Sequence, residues 1–510
     1  MRVLISLTAL SLSCIAATLG PEALVDAAKN HEREAAKALI KQHADVNAAE
    51  PDGTTALHWA AHWNDLELTG LLLDAGANPA ALNRYGITPL AEAVSNGSGA
   101  LVEKLLQAGA DVNTHVTTAG ETVLMRAARV GDIEAVKVLL EHGADPNVKE
   151  NFRGQTALMW AAAEGHAEVI KALLAKGAEA NVRSYDRDTK LPNMEAGTPT
   201  APIYRGGLTA LTFAARQGQM EAAKALIDGG ADINAKDADG NSPLVLAILN
   251  SHYDLAELLL DRRADVNVAA NNGRTALYTA IEMHDADWSP RPSHRLTDQH
   301  TSMDLIHALL DRGANVNAQL KDHAAIEKAA QDMGDKTLAA GATAFMLAAR
   351  SADVEVMKML LAKGADPKLA NKDGLTALML AAGNGWADSH KGSEAEALEA
   401  VKLCASLGLD VKAATDKGDT ALHGAAHRGA DSIVKFLAEK GAKVDARNKR
   451  GFTPLDIAMG KGGPPGSVGE PHETTVALIK QLGGTPGEEI KQPPKPSTQE
   501  GKPATQAKAD

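Results

Sequence analysis

Histidines four residues apart are the first side chains here that could do chemistry. His58 and His62, and again His423 and His427, are i,i+4 pairs, which puts both imidazoles of a pair on one helical face where a metal could be held. Neither pair has a nearby cysteine or carboxylate set to complete a four-ligand site. His284, Asp285, Asp287, His294 and His300 form a looser group that could gather a cation weakly, at a spacing that matches no ligand motif. Cys404 sits among Val401, Leu403 and Leu407 and reads as a buried structural thiol, not a nucleophile. The chain shows no Gly-x-Ser-x-Gly elbow, no His-Glu-x-x-His helix, no phosphate-cradling Gly-x-x-x-x-Gly-Lys loop and no strand-borne Gly-x-Gly-x-x-Gly. The expectation is a protein that is not an enzyme, with no catalytic residue, no metal site and no cofactor.

The elements that carry these residues follow one pattern, clearest from Gln155 to Asn181. Thr156 stands where a helix N-cap belongs, and Ala157, Leu158, Ala161 and Ala162 share one helical face. Gly165 breaks that helix. Val169, Ile170, Leu173 and Leu174 mark a second helix, which Gly177 closes in the position of a left-handed cap. A single pair of this size cannot bury its own apolar face and needs a neighbour on each side.

The neighbours recur along the chain. Cap residues stand at Thr55, Thr88, Thr122, Thr156, Thr209, Ser242, Thr275, Thr343, Thr376, Thr420 and Thr453, most of them 33 or 34 apart. The distance from cap to closing glycine is 21 residues for Thr55 to Gly76, Thr122 to Gly143, Thr209 to Gly230 and Thr420 to Gly441. A fixed period near 33 marks a solenoid. The runs Thr55-Ala-Leu-His58, Thr88-Pro-Leu90, Thr420-Ala-Leu-His423 and Thr453-Pro-Leu455, with Gly-Ala-Asp-x-Asn runs such as Gly109 to Asn113 and Gly230 to Asn234, resemble those of ankyrin repeat proteins over residues 21 to 484. The resemblance implies an all-α fold: a solenoid of about twelve helix-turn-helix repeats with β-turn fingers. It also implies that His58 and His423 are motif residues whose rings hydrogen-bond backbone near the next finger.

Aromatic residues make up only 3% of the 510 residues, as expected of thin helix-on-helix layers. A net charge of -13 argues against non-specific binding to nucleic acid. With two cysteines no disulfide framework can form, which favours a bacterial setting for the export described next.

Residues 1–20 read as an export signal, with Arg2, an apolar run from Val3 and small residues at Ala16 and Ala17. The alternatives are an uncleaved anchor and lipid attachment at Cys14. After signal removal no stable membrane span is expected, and the mature protein is expected to be a periplasmic or secreted monomer. The array proper covers 21–484. Finger insertions are placed at 184–206 and 319–341, and insertions within repeats at 286–300, 386–393 and 461–471; Leu320 to Met333 has the spacing of a short helix. Residues 485–510 are rich in Pro, Lys, Gln and Thr and read as a disordered tail.

In the family, the exposed side of the first helices and the fingers line a concave groove that binds other proteins. Carried over by position, the resemblance places His62, Trp63, Arg129, Arg216, Arg350, His427 and Arg428 on the helices, and Tyr85, Phe152 and Arg153 on the fingers. Tyr204, Arg205, Arg274 and Phe452 are further finger positions. The first place after the Ala-Ala pair is Arg or His in His62, Arg129, Arg216, Arg350 and His427. With Trp63 close by, this suggests a basic, aromatic groove for an acidic or extended polypeptide. The rival readings are a ligand or metal sensor built on the His- and Trp-bearing segment 284–300, and a mechanical spacer.

Overall fold

The computed structural model describes residues 22–186, 206–285, 298–321, 338, 340–384, 392–462 and 469–487. The export segment 1–20, Cys14, the helical spacing at 322–333, Tyr204, Arg205 and the tail from 488 lie outside them, as do the middles of all five insertions. Among the described residues there are 24 helices, mostly of seven to ten residues, and no strand. Isolated antiparallel bridges such as Ala49 with Thr55 and Ala414 with Thr420 close the bases of the fingers. The described residues fall into two compact units. One draws on 22–284 and 298–315; the other on 285, 316–321 and the residues from 338 onward.

In the first unit, the first helices from Ala23–Lys29 to Pro243–Leu249 pack each on the next. Ala157–Glu164 lies between Val123–Val130 and Ala210–Gln217, while the second helix Ala167–Ala175 lies between Ile133–Glu141 and Met220–Asp228. Alanine makes this stacking close: Ala161 and Ala162 are fully buried, as are Val169, Ile170 and Leu173. The Thr156 hydroxyl accepts from the Met159 N–H at 3.4 Å, satisfying one of the donors that a helix start leaves open. Gly165 ends the first helix at φ 87°, and Gly177 takes φ 88° just past the second. The second unit repeats the arrangement with Ala344–Arg350 and Val354–Ala362, then Ala377–Ala382 and Glu394–Ser406, Ala421–Arg428 and Asp431–Glu439, and Pro454–Ala458 and Glu473–Gln481.

Polar stitches fix the layer spacing. Asn147 of one repeat donates its amide to the Gly177 carbonyl at 2.9 Å and accepts from the Glu179 N–H at 2.9 Å. Asn47 makes the same pair with Gly76 and Asn78. Asn181 does so with Gly230 and Asp232 although its partners are 49 and 51 residues away. An insertion therefore leaves the step between layers unchanged. Its base is closed by the Ser184 N–H donating to the Leu208 carbonyl at 2.8 Å, and by the Leu208 N–H donating to the Ser184 hydroxyl at 2.9 Å. In the second unit the Leu320 N–H donates to the Ala342 carbonyl at 3.0 Å and does the same for 319–341.

A second stitch comes from the N-cap residue of the second helix. His166 reaches back to the Arg129 carbonyl (3.1 Å), Gln219 to Ala163 (3.1 Å), His252 to Arg216 (3.1 Å) and His472 to His427 (3.0 Å). The ring of His166 lies across Gly131, where a Cβ would stand 2.4 Å from it. Gly131 is also at φ 85°, which a side chain resists. Gly131→Ala should therefore cost about 1–3 kcal/mol from backbone strain and the displaced ring together. Urea titration of the full chain checks this; an unchanged midpoint for the first transition would contradict it.

Candidate functional site

The histidine pairs are not ligand sites. His58 is 2% exposed, and its Nδ1 accepts from the Thr55 N–H at 3.1 Å. Nε2 therefore carries the hydrogen and donates to the Ile87 carbonyl at 3.0 Å. His423 repeats this with the Thr420 N–H (3.1 Å) and the Phe452 carbonyl (3.2 Å). Each ring thus spends Nδ1 on the cap of its own helix and Nε2 on the next finger. Burial pushes the pKa of both rings below the ordinary imidazole value, against the pull of the carbonyls they bond. Cys404 is fully buried, and burial pushes its thiol up to about 12, so it stays protonated and inert.

Within the looser His/Asp group, His300 and His284 have different partners. His300 Nδ1 lies 2.7 Å from Asp254, which also accepts from the Gln299 and His300 N–H groups. His284 Nδ1 is 2.9 Å from the Ser302 hydroxyl. Asp287 and His294 lie outside the described residues. The hydrogen bond to Asp254 raises the pKa of His300. Burial would raise that of Asp254, but the hydrogen bonds from His300 and Gln299 prevail and hold it low.

Of the positions expected to line a groove, the first unit holds His62, Trp63, Tyr85, Arg129, Phe152, Arg153 and Arg216, and the second holds Arg350, His427 and Arg428. Trp63 is 43% exposed, but one face stacks on His31 at 5.6 Å and its indole N–H donates to the Lys29 carbonyl at 3.1 Å. His62 meets Trp63 edge-on at 5.0 Å, with Nδ1 3.2 Å from Glu92. Arg129 is exposed and its guanidinium lies 4.9 Å from the Trp160 ring centre. Arg216 is half-buried, 5.3 Å over Phe213. Arg350 is half-buried, while His427 is exposed. Arg428 is tied down, donating to the Gly392 carbonyl at 2.6 Å; burial lowers its pKa, with Glu394 and Glu396 pulling the other way. Arg274 and Phe452, expected on free finger positions, are 3% and 5% exposed. Both stand directly before a cap residue, a place buried or half-buried in every described repeat; there Glu282 accepts from the Arg274 guanidinium at 3.2 Å, and the Arg450 guanidinium covers Phe452 at 4.8 Å.

The fingers of the first unit carry the most accessible rings. Tyr85 is 61% exposed beneath Arg84 (5.2 Å), Phe152 is 53% exposed beneath Arg153 (5.6 Å), and Tyr185 is 44% exposed beneath Lys149 (5.6 Å). Adjacent tips are joined through the backbone: the Arg84 N–H donates to Asp52 at 2.6 Å, Asn151 to Ala119 at 2.7 Å and Tyr185 to Arg153 at 2.7 Å. The side of the first helices next to the fingers is lined by a position that sequence reasoning missed, four residues after the cap: Trp59, Arg126, Trp160 and Phe213. Trp59 donates to Glu50 on its finger at 2.9 Å, and Arg126 pairs with Glu121 at 2.7 Å. The available signal was helical spacing, since cap+4 lies one turn before cap+7.

A family model described as Ankyrin repeats (3 copies) matches residues 24–116, 101–184, 211–288, 294–391 and 389–465, and the chain belongs to the ankyrin repeat family. It is similar to the E3 ubiquitin-protein ligase KEG of Arabidopsis thaliana, 39% identical over 89 residues, which are 17% of this chain and 6% of that protein. The ankyrin repeat domain-containing protein SAT10 of Stachybotrys chartarum is 32% identical over 106 residues, 21% of this chain and 5% of that one. SH3 and multiple ankyrin repeat domains protein 2 of Homo sapiens is 27% identical over 201 residues, 32% and 11% of the two chains. The chain thus spans no more than 11% of the length of these three relatives. Among the described residues, no helix is long and apolar enough to cross a membrane.

The buried imidazoles carry a pH prediction. With folded pKa values below the unfolded value of about 6.5, the unfolded chain binds protons that the folded chain refuses. Their contribution is complete above about pH 6.5 and is lost as pH falls from there toward the folded pKa, with a slope of up to roughly 1.4 kcal/mol per pH unit for each ring. Gln at this position keeps a capping-box acceptor. A His58→Gln/His423→Gln variant should therefore lose less stability than the wild type between pH 7.5 and 5.5 in chemical denaturation. The His300–Asp254 pair is present in both proteins and cancels. Parallel pH profiles would contradict the assignment.

Proposed function

We propose that this chain is a protein-interaction scaffold whose first unit holds a partner polypeptide along its fingertips, and that the segment 1–20 sends it to a periplasm or the medium. Membership of the ankyrin repeat family supports a protein partner. The observation that carries the choice of surface is the row Tyr85, Phe152 and Tyr185, each ring exposed and each beneath a cation.

An exposed cation over a ring gains only about 0.5–1 kcal/mol, and about 2 kcal/mol when a partner excludes water from it. Covering the row therefore strengthens contacts that already exist. The backbone bonds between tips hold the rings in place beforehand, so little ordering is needed on binding. Arg84, Arg153 and Lys149 make the strip basic in a chain of net charge -13, which selects an acidic, extended partner. The helix residues Trp59, Arg129 and Trp160 extend the surface toward the body of the unit.

Since the three rings are exposed, Tyr85→Ala/Phe152→Ala/Tyr185→Ala should leave the fold intact. At about 1 kcal/mol or more per ring, it should weaken a captured partner by about 100-fold. Affinity capture from envelope extract, with crosslinks mapped on the wild-type chain, reads this out. The expected partner crosslinks at the fingertips, is released by salt and is lost from the variant. Equal retention by both proteins would contradict the surface assignment. Deletion of residues 2–20 should leave the protein in the cytoplasmic fraction; an unaltered distribution would remove the export proposal.

A further inference from the structure

The second unit contains a cavity of about 630 Å³ between its last first-helices and their fingers, distinct from the fingertip row. Gly383, Gly424 and Gly462 are among its lining residues. Gly424 stands four residues after the cap Thr420, where other repeats place Trp59, Arg126, Trp160 or Phe213. A helix-interior glycine costs about 1 kcal/mol relative to alanine, so its presence requires a reason. The reason is the close approach of the preceding repeat. A Cβ on Gly424 would lie 2.2 Å from Asn384 Oδ1 and 2.5 Å from Asn384 N. The chain reaches Asn384 through Gly383, at φ 115°, and a Cβ there would lie 2.8 Å from the Gly424 carbonyl.

The finger wall of this cavity is cationic. Lys417, Lys449 and Arg450 line it together with His427, against one carboxylate, Asp419, among the described lining residues. Asp419 is already engaged, accepting from the Asn448 amide at 2.8 Å. The two lysines belong to adjacent fingers whose tips are joined, since the Lys449 N–H donates to the Lys417 carbonyl at 2.8 Å. Arg450 is fixed from both sides: Nη1 donates to the Gly462 carbonyl at 2.7 Å, and its plane lies 4.8 Å from the Phe452 ring centre. Lys417, Lys449 and Arg450 thus border one open space in a chain of net charge -13, a local excess of positive charge that attracts an anion.

From this geometry we propose that the cavity binds a small multianionic ligand through its phosphate or carboxylate groups. Its volume lies in the range of small-molecule sites. Lys417 and Lys449 are point charges suited to either oxyanion, and the fixed guanidinium of Arg450 adds its charge to the same wall. The proposal is independent of the fingertip surface, which lies in the other unit.

Isothermal titration calorimetry on the full chain at constant ionic strength tests it, with pyrophosphate and citrate as probes. Lys417 and Lys449 are exposed, so Lys417→Ala/Lys449→Ala should fold normally. The control Lys435→Ala/Lys440→Ala removes the same charge from exposed positions in and beside the helix Asp431–Glu439. Saturable binding is expected with one site per chain, weakened at least about ten-fold in the cavity variant and by less than about two-fold in the control. Binding of pyrophosphate alone identifies a phosphate ester as the ligand class, binding of citrate alone a polycarboxylate, and binding of both a multianion of either kind. No saturable binding of either probe, or equal weakening in both variants, would overturn the proposal.

Discussion

Each layer of this protein is too thin to be stable alone, and that constraint governs everything else in it. A pair of helices such as Ala157–Glu164 and Ala167–Ala175 has an apolar side on both flanks, and no third element of its own to cover them. Stability must come from the contact between layers. Alanine at the closest approach keeps the helix axes near one another, and the Asn147-type and His166-type hydrogen bonds set the step. Each net stitch is worth only about 1 kcal/mol, but it is repeated at layer after layer. The same bonds persist across the finger insertion between Asn181 and Gly230, so extra residues leave through the fingers and do not wedge the layers apart.

This economy explains which parts of the structure could be read from the sequence. Thr156, Gly165, Gly177 and the Ala-Ala pairs were legible because each is fixed by backbone geometry that few residue types satisfy. His58 and His423 were legible for the same reason, as rings that close a capping box and hold the next finger. The surface was less so. Arg274 and Phe452 stand directly before the caps Thr275 and Thr453, a place that is buried or half-buried in every described repeat, and Glu282 and Arg450 pack on them there. The register itself carried that signal, because the residue before each cap is never exposed in the described repeats, but the whole finger was treated as free. Trp59, Arg126, Trp160 and Phe213 were missed because the groove was traced only through the two places after the Ala-Ala pair. The His166 stitch was visible as a polar residue directly after the breaking glycine, but its partner lies 37 residues back.

The free surface is divided in kind between the units. In the first, rings and cations alternate on fingertips already locked by backbone bonds, a texture suited to a chain laid across several repeats. In the second, a groove opens between the last first-helices and their fingers, and those fingers supply charge instead of rings. Both features follow from one rule: residues that do not build the contact between layers are free to take on another task.

Native-state hydrogen exchange on the wild type and an Asn147→Ala/Asn181→Ala variant tests the layer contact most directly. If the account is right, protection falls in the helices on either side of the altered stitches, Ile133–Glu141, Ala167–Ala175 and Met220–Asp228 above all, while helices of the second unit such as Asp431–Glu439 keep theirs. A uniform fall across the chain, or no fall at all, would contradict it.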